Sequence, residues 1–314
     1  MNIITHPLQE EDRETLEKMR QAAAPMKGHL GPDVRVPFDS MVEQTPAAAS
    51  VTYEAANVGG VWGYWCRPAA AQENAAILYL HGGAYVAGSA QAYRHFAGQI
   101  ATRAGTAVFV AEYRLAPEHP FPGAVDDADA AYRGLADLGF TEIALAGDSA
   151  GGGLALATLA AAAASAQDGS GVMPKGAAVM SPWTDLSLSG ASLETRAEAD
   201  LMLTKASLAD MAHLYLGSHD PRDPRVSPLF GDLNGFPPIL LHVGDTEVLL
   251  DDSRCYGEKA AAEGVRAEVH VWEGMPHVFP ASLGILAAAE PALDNIGAFL
   301  RRCLDNGFQG ENTQ

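Results

Sequence analysis

Gly147-Asp148-Ser149-Ala150-Gly151 sets one serine between two glycines, where the apolar run "IALA" (143–146) meets a helical pattern that starts near Ala150. The pentapeptide fits G-x-S-x-G, in which a strand turns sharply into a helix and lifts a serine hydroxyl clear of a sheet. Glycine two before and two after the serine removes the side chains that would collide as strand and helix close on each other. The helix N-terminus places positive potential beneath the hydroxyl. The chemistry indicated is nucleophilic attack on a carbonyl, which needs a base to take the serine proton and donors to hold the oxyanion. Gly-rich strand–helix turns also cradle phosphates, but this one has neither the lysine of a P-loop nor the spacing of a dinucleotide fingerprint.

The remaining parts are sought at other strand ends. "LYLHGGAYVAGS" (78–89) follows an apolar run with His81-Gly82-Gly83, so the bare amides of Gly82 and Gly83, with that of Ala150, are candidates for an oxyanion hole. "VWEGMPHVF" (271–279) puts His277 on a loop after a strand pattern, past the structure-breaking Gly274 and Pro276. His242 and His270 lie inside strand patterns, where packing is the simpler use. A carboxylate must orient the imidazole, and the loop "GDTEVLLDD" (244–252) offers both Asp245 and Glu247. Asp251 and Asp252 read as an N-cap region for the next helix. Serine, acid, histidine is the chain order of the α/β-hydrolase arrangement.

The elements that must position these residues alternate. Apolar runs at 75–80, 107–113, 143–146, 176–180, 239–243 and 267–272 are separated by stretches of helical composition such as "YRHFAGQIATRAG" and "AVDDADAAYRGLADLG". Such alternation predicts a mostly parallel sheet with helices on both faces. Ahead of it, residues 50–67 read as an antiparallel hairpin around "VGG". The first 45 residues or so read as one amphipathic helix, Glu10 to Ala24, followed by a loop. Between Ser181 and Pro238 lies more chain than one crossover needs. It contains the helical "SLADMAHLYLG", read as an insertion over the sheet that packs on the N-terminal helix.

Composition excludes some function classes. The 314 residues carry 39 acidic against 20 Lys and Arg, a formal net charge of −19, which disfavours nucleic acid and anionic membranes as partners. No apolar run is read as long enough to span a membrane, and the polar start has no signal-peptide pattern. Cys66, Cys255 and Cys303 are far apart and read as buried or idle thiols of a reducing compartment, so a cytoplasmic location is expected.

Four segments carry a family resemblance: "HGGAYVAGS" (81–89), "YRLAPEHPFPGAVDDA" (113–128), "GDSAGGGLA" (147–155) and "GMPHVF" (274–279), with "SPWTDLS" (181–187) in support. The chain resembles the hormone-sensitive-lipase-like α/β-hydrolases, the bacterial family IV esterases, from about Ala75 to Phe279. The resemblance implies an α/β-hydrolase fold with a mostly parallel central sheet flanked by helices. It further implies a cap built from an N-terminal segment, 1–48, and an insertion around 186–220 in a catalytic domain spanning 49–314.

The function implied is carboxylester hydrolysis through an acyl-enzyme, with no metal or cofactor, on short-chain esters from acetyl to about hexanoyl. The catalytic residues would be Ser149, His277 and an acid. Laying the family's acid loop on "GDTEVLLDD" places Glu247 where the family commonly has aspartate. Ala84 stands where a further glycine is usual. Asp148 is expected to support through a hydrogen bond, Arg114 and Glu118 to form a structural ion pair. Tyr85 and the Met and Leu residues of "ADLMLTKASL" are candidate pocket linings. A small ester is the expected partner, with no stable membrane association, and a homodimer through an edge strand such as 267–272 is what the family suggests. An amidase or N-deacetylase using the same residues, or a non-catalytic small-ligand receptor, are the alternatives that fold alone leaves open.

Overall fold

The computed structural model describes residues 2–305 and 307–308; the remainder of the expected catalytic domain's C-terminus lies outside the described residues. In chain order the elements are β1 (Asn2–His6), α1 (Asp12–Ala23), α2 (Arg35–Val42), β2 (Val51–Val58), β3 (Val61–Pro68), β4 (Ala75–Leu80), α3 (Ala90–Ala104) and β5 (Ala107–Ala111). There follow α4 (Gly123–Asp137), β6 (Glu142–Asp148), α5 (Ser149–Gln167), β7 (Ala177–Met180), α6 (Ser192–Thr195), α7 (Lys205–Leu216), β8 (Ile239–Gly244), α8 (Leu250–Ala262), β9 (Ala267–Trp272) and α9 (Ala289–Leu304).

Each apolar run of the sequence is a strand because both its faces are covered. Every residue of β4, β5, β7 and β8 is buried, as expected for parallel strands between two helical layers. Successive side chains alternate between the layers. Ala76, Leu78 and Leu80 of β4 join a core with Tyr132, Leu156 and Tyr256 from α4, α5 and α8. Ala75, Ile77 and Tyr79 join the opposite one, with Phe96 and Ile100 of α3 and Ile296 and Leu300 of α9. Among the described residues the sheet runs β1-β9-β8-β7-β6-β4-β5-β3-β2, antiparallel only where β3 meets β2 and β5. The β2–β3 hairpin turns through Gly59 and Gly60, both at positive φ, as a tight two-residue connection requires.

The N-terminal segment departs from its reading. The amphipathic helix is there as α1, but a strand precedes it and α2 occupies what was read as loop. Strand β1 pairs in parallel with β9, Asn2 opposite Glu268 through His6 opposite Trp272. Residues 267–272 are therefore not an edge: β8 and β1 take both sides of that strand, which leaves it no free side to pair with a second copy. Helix α5 also corrects the reading. It is long and apolar enough to cross a membrane by length and composition, yet it is packed inside the protein. All three cysteines are free, and burial pushes Cys66 and Cys303 up to about 12.

Residues 186–220 contain α6 and α7 and do meet the N-terminal segment. Gly28 donates its N–H to Met202 O at 2.8 Å and Lys27 Nζ donates to Ala197 O at 2.6 Å. A deeper tie runs from α1 to α9. The buried Asp12 carboxylate accepts the N–H groups of Ala287 and Ala288 at 2.6 and 3.1 Å, at a helix start that has no other side-chain cap. Asp12→Ala strands two donors, and about 1–3 kcal/mol of stability is expected to be lost in urea unfolding. A midpoint equal to wild type would contradict this account of the contact.

Candidate active site

Ser149 stands at the first position of α5 with φ +52°, a left-handed conformation that non-glycine residues adopt only when the surroundings enforce it. The enforcement is steric. A Cβ on Gly147 would lie 2.4 Å from Gly151 O, and one on Gly151 would lie 2.2 Å from both Leu80 O and His81 O. Strand β6, helix α5 and the end of β4 thus touch backbone to backbone, and the serine is the residue squeezed outward.

His277 lies on the loop after β9 and Glu247 on the loop after β8. Ser149 Oγ is 2.8 Å from His277 Nε2, and His277 Nδ1 is 2.7 Å from Glu247 Oε2. A carboxylate can only accept, so the neutral ring carries its proton on Nδ1 and turns Nε2 to the serine hydroxyl as acceptor. Burial disfavours the charged imidazole, but the hydrogen bond and charge of Glu247, with Asp200 and Asp148 more distant, outweigh it and raise its pKa above the ordinary 6.5. Glu247 is wholly buried, and its Oε1 accepts from Gly244 N–H at 2.6 Å and Ser181 Oγ at 2.7 Å. Asp245, the other candidate acid, turns away: its Oδ1 accepts from Gly274 N–H at 2.6 Å and braces the histidine loop from outside. Asp251 and Asp252 do not cap α8. Asp252 accepts the N–H groups of Thr184 and Asp185, and Asp251 that of Ser192, so both fasten the chain beyond β7.

One expected oxyanion donor is overturned. The N–H of Gly82 donates to Asp148 Oδ1 at 3.0 Å, and Gly82 does not line the cleft, whereas Gly83 and Ala84 do. Gly83 and Ala84 line the cleft beside Ser149, so their amides are the candidate donors, with the Ala150 N–H, which sits in the first turn of α5 where no intrahelical acceptor reaches. Asp148 is the anchor of that loop. Its buried carboxylate also accepts from Tyr79 Oη at 2.6 Å and Tyr93 Oη at 3.0 Å. Burial pushes its carboxyl up to about 6, against these three donors that favour the charged form. Gly82 must be glycine here, because a Cβ would lie 2.2 Å from Asp148 Oδ2.

Arg114 and Glu118 do not pair with each other. Arg114 forks onto Asp127, while Arg35 of α2 takes Glu118 along with the carbonyls of Val86 and Ala116, binding the N-terminal segment to the oxyanion loop. Tyr113 Oη donates to His81 O at 2.6 Å. Tyr85 is buried against Tyr215, rings 3.9 Å apart, and is not part of the cleft wall; Leu201, Met202, Leu203 and Leu208 are. The cleft over Ser149 has a volume of about 550 Å³ and a predominantly apolar wall. At its rim Met26, Met41 and Ile285 are 58%, 49% and 58% exposed, an apolar border that composition did not announce. Ser181, Asp200 and Arg35 were not singled out from sequence. The signal for Ser181 was its place in "SPWTDLS" at a strand's C-terminal end, where parallel sheets gather their functional loops.

Comparison with known proteins bears on the family and the fold. A family described as the α/β-hydrolase fold matches residues 77–281. The chain is 40% identical over 277 residues to an acetyl-hydrolase of Streptomyces hygroscopicus, covering 88% of this chain and 91% of that one. It is 34% identical over 279 residues to an esterase of Acinetobacter venetianus, covering 88% and 90%. Among solved structures, an esterase from the bacterial hormone-sensitive lipase family superposes with a TM-score of 0.87 at 38% identity, over 95% of this chain and 99% of the other.

The close approach at the elbow is testable. Gly151→Ala forces a methyl into two carbonyls, and we expect the variant to be strongly destabilised, by about 3 kcal/mol or more, in thermal or urea unfolding. Wild-type stability in that variant would mean that strand and helix are not in contact there.

Proposed function

We propose that this chain, which belongs to the α/β-hydrolase family in its bacterial hormone-sensitive-lipase-like branch and is a carboxylic ester hydrolase, cleaves short-chain carboxylic esters through an acyl-enzyme on Ser149. The observation that carries the reading is the unbroken line Ser149 Oγ–His277 Nε2, His277 Nδ1–Glu247 Oε2, at 2.8 and 2.7 Å. His277 takes the serine proton as Ser149 attacks the ester carbonyl, and Glu247 holds the ring and stabilises the imidazolium that forms. The amides of Gly83, Ala84 and Ala150 receive the oxyanion. His277 then passes its proton to the leaving alcohol, the acyl-serine remains, and water activated by the same ring releases the acid.

The cleft supports a neutral, apolar substrate, since among the described residues its wall offers no Lys or Arg to pair with an anionic group. Residues 1–48 and the insertion around 186–220 act as the cap over that cleft, which receives acyl groups from acetyl to about hexanoyl.

Hydrolysis of p-nitrophenyl acetate, butyrate and octanoate, with a matched anilide, tests the reading. Ser149→Ala is expected to lose about 10⁴-fold or more in kcat, and Glu247→Gln about 10³-fold or more. Asp245→Asn, which keeps an acceptor for Gly274 and touches no reacting group, is expected to stay within about threefold of wild type. A crippled Asp245→Asn beside an active Glu247→Gln would reassign the acid, and faster cleavage of the anilide would favour an amidase.

The pH dependence follows from the raised pKa of His277. Only the neutral ring accepts the serine proton, so kcat/KM falls as pH drops through that pKa, and the acid limb lies above 6.5. In Glu247→Gln the main cause of the rise is gone and burial is opposed only by the charges of Asp200 and Asp148, so the limb of any residual activity moves to lower pH. A limb at or below the ordinary imidazole value in wild type would refute the pairing.

A further inference from the structure

Ser181 directly follows β7, one strand away from the nucleophile, and three features of it stand together. It is fully buried, its φ is +47°, and its hydroxyl makes two hydrogen bonds to two different loops. Oγ donates to Glu247 Oε1 at 2.7 Å and accepts from the N–H of Val278 at 3.0 Å. Its own N–H is fixed on His242 O at 2.7 Å, so the hydroxyl is held from the sheet.

We infer that Ser181 is a positioning residue for ester hydrolysis, its single hydroxyl clamping the acid Glu247 and the loop that carries His277 into one unit. The inference rests on the assignment of Ser149, His277 and Glu247 made above.

Glutamate makes such a clamp necessary. Compared with aspartate it has one more torsion, and its last one is broad, so the plane of the carboxylate is set by whatever holds the oxygen not facing the histidine. Here that oxygen has two donors, Gly244 N–H and Ser181 Oγ, which come from different strand ends. On the other side, Val278 follows His277 directly and is itself left-handed, with φ +52°. A β-branched residue in that conformation costs about 1–2 kcal/mol and persists only if the loop is tied down. The Val278 N–H bond to Ser181 is that tie. Removing the hydroxyl leaves the carboxylate only the Gly244 N–H on that oxygen and loosens the histidine loop at Val278, while the apolar cleft that binds substrate is left as it is.

The test uses the full chain with Ser181→Ala, Ser181→Gly and Ser181→Cys, measured beside Ser149→Ala on p-nitrophenyl butyrate across pH, with thermal midpoints for each. We expect Ser181→Ala and Ser181→Gly to lose about 10–100-fold in kcat, the loss expected when a hydrogen bond to a charged group is removed, with KM within about twofold. Glycine relieves the positive φ, so Ser181→Gly is expected to unfold at a higher temperature than Ser181→Ala while losing as much rate. The thiol of Ser181→Cys, a weak donor, is expected to recover part of it. Glu247, Asp200 and Asp148 are the carboxylates that raise the His277 pKa, and none is altered. Without the clamp the carboxylate turns off the line to His277 Nδ1 and the hydrogen bond that raises the imidazole pKa weakens, so the acid limb moves to lower pH.

Wild-type kcat and an unmoved acid limb in the alanine and glycine variants would overturn the inference. So would a rate loss that Ser181→Gly reverses, because the backbone and not the hydroxyl would then be responsible. If Ser181→Ala does not fold, the glycine and cysteine variants carry the same comparison. Full activity in Ser149→Ala would instead bring down the underlying assignment, a result distinct from a dead Ser149→Ala beside unaffected Ser181 variants.

Discussion

The backbone contact between β6, the start of α5 and the end of β4 is the constraint on which the rest depends. Gly147 and Gly151 bring three chain segments to distances that a single methyl group would abolish. The glycines continue along the helix: a Cβ on Gly152 would press on Pro182 at 3.0 Å, and one on Gly153 would lie 2.1 Å from Trp183 O. Different sides of the first turn of α5 therefore receive the end of β4 and the Pro182–Trp183 chain after β7. The strained serine is stabilised by what the close fit buries, since most of α5 is buried and apolar and packs into the core on its face of the sheet. Strain at the nucleophile and density in the core have one origin.

Loops so close to a dense core cannot be hydrated, and their polar backbone groups need partners from within. Buried carboxylates supply them. Asp148 serves the loop after β4, Glu247 takes the N–H of Gly244 in the loop after β8, and Asp252 holds the chain after β7. Asp200 accepts from Met202 and Leu203 on its own loop and from Val248 beside Glu247. Each acceptor is charged or shared by more than one donor, the stronger class of hydrogen bond. Part of the chain's acidic excess is thus interior scaffolding, not a solvated surface. The proposed acid Glu247 follows the general rule here, with the addition of a histidine at its second oxygen.

The wall of the cleft is assembled from chain remote in sequence. Met19 to Thr45, Leu201 to Leu208 and Ala281 to Ile285 meet above Ser149, and the N-terminal part is anchored at both ends. Asp12 grips the start of α9, and Arg35 grips the carbonyls behind the oxyanion loop. Substrate selection in the proposed hydrolase is accordingly a property of the N-terminal segment as much as of the sheet.

What the sequence determined by itself is whatever short-range stereochemistry encodes. The alternation of apolar runs and helical stretches specified the parallel sheet, because strand and helix periods differ within a few residues. The elbow was legible because a sharp strand–helix turn demands glycine at fixed offsets from the serine. His277 stood out because breakers isolate it on a loop after a strand. Tertiary structure alone decided matters of reach across the fold. Whether Asp245 or Glu247 meets the imidazole depends on how far a loop is turned, and the two are only two residues apart. The Gly82 amide looked free until Asp148, 66 residues on, was seen to take it. Strand β1 is five polar and apolar residues with no strong pattern, and becomes a strand because β9 offers it an open edge. Ser181 is one of many serines until three strand ends converge on it. Local propensity depends on neighbours in the chain, whereas a hydrogen bond to a buried donor depends on which distant segment the packing brings within 3 Å.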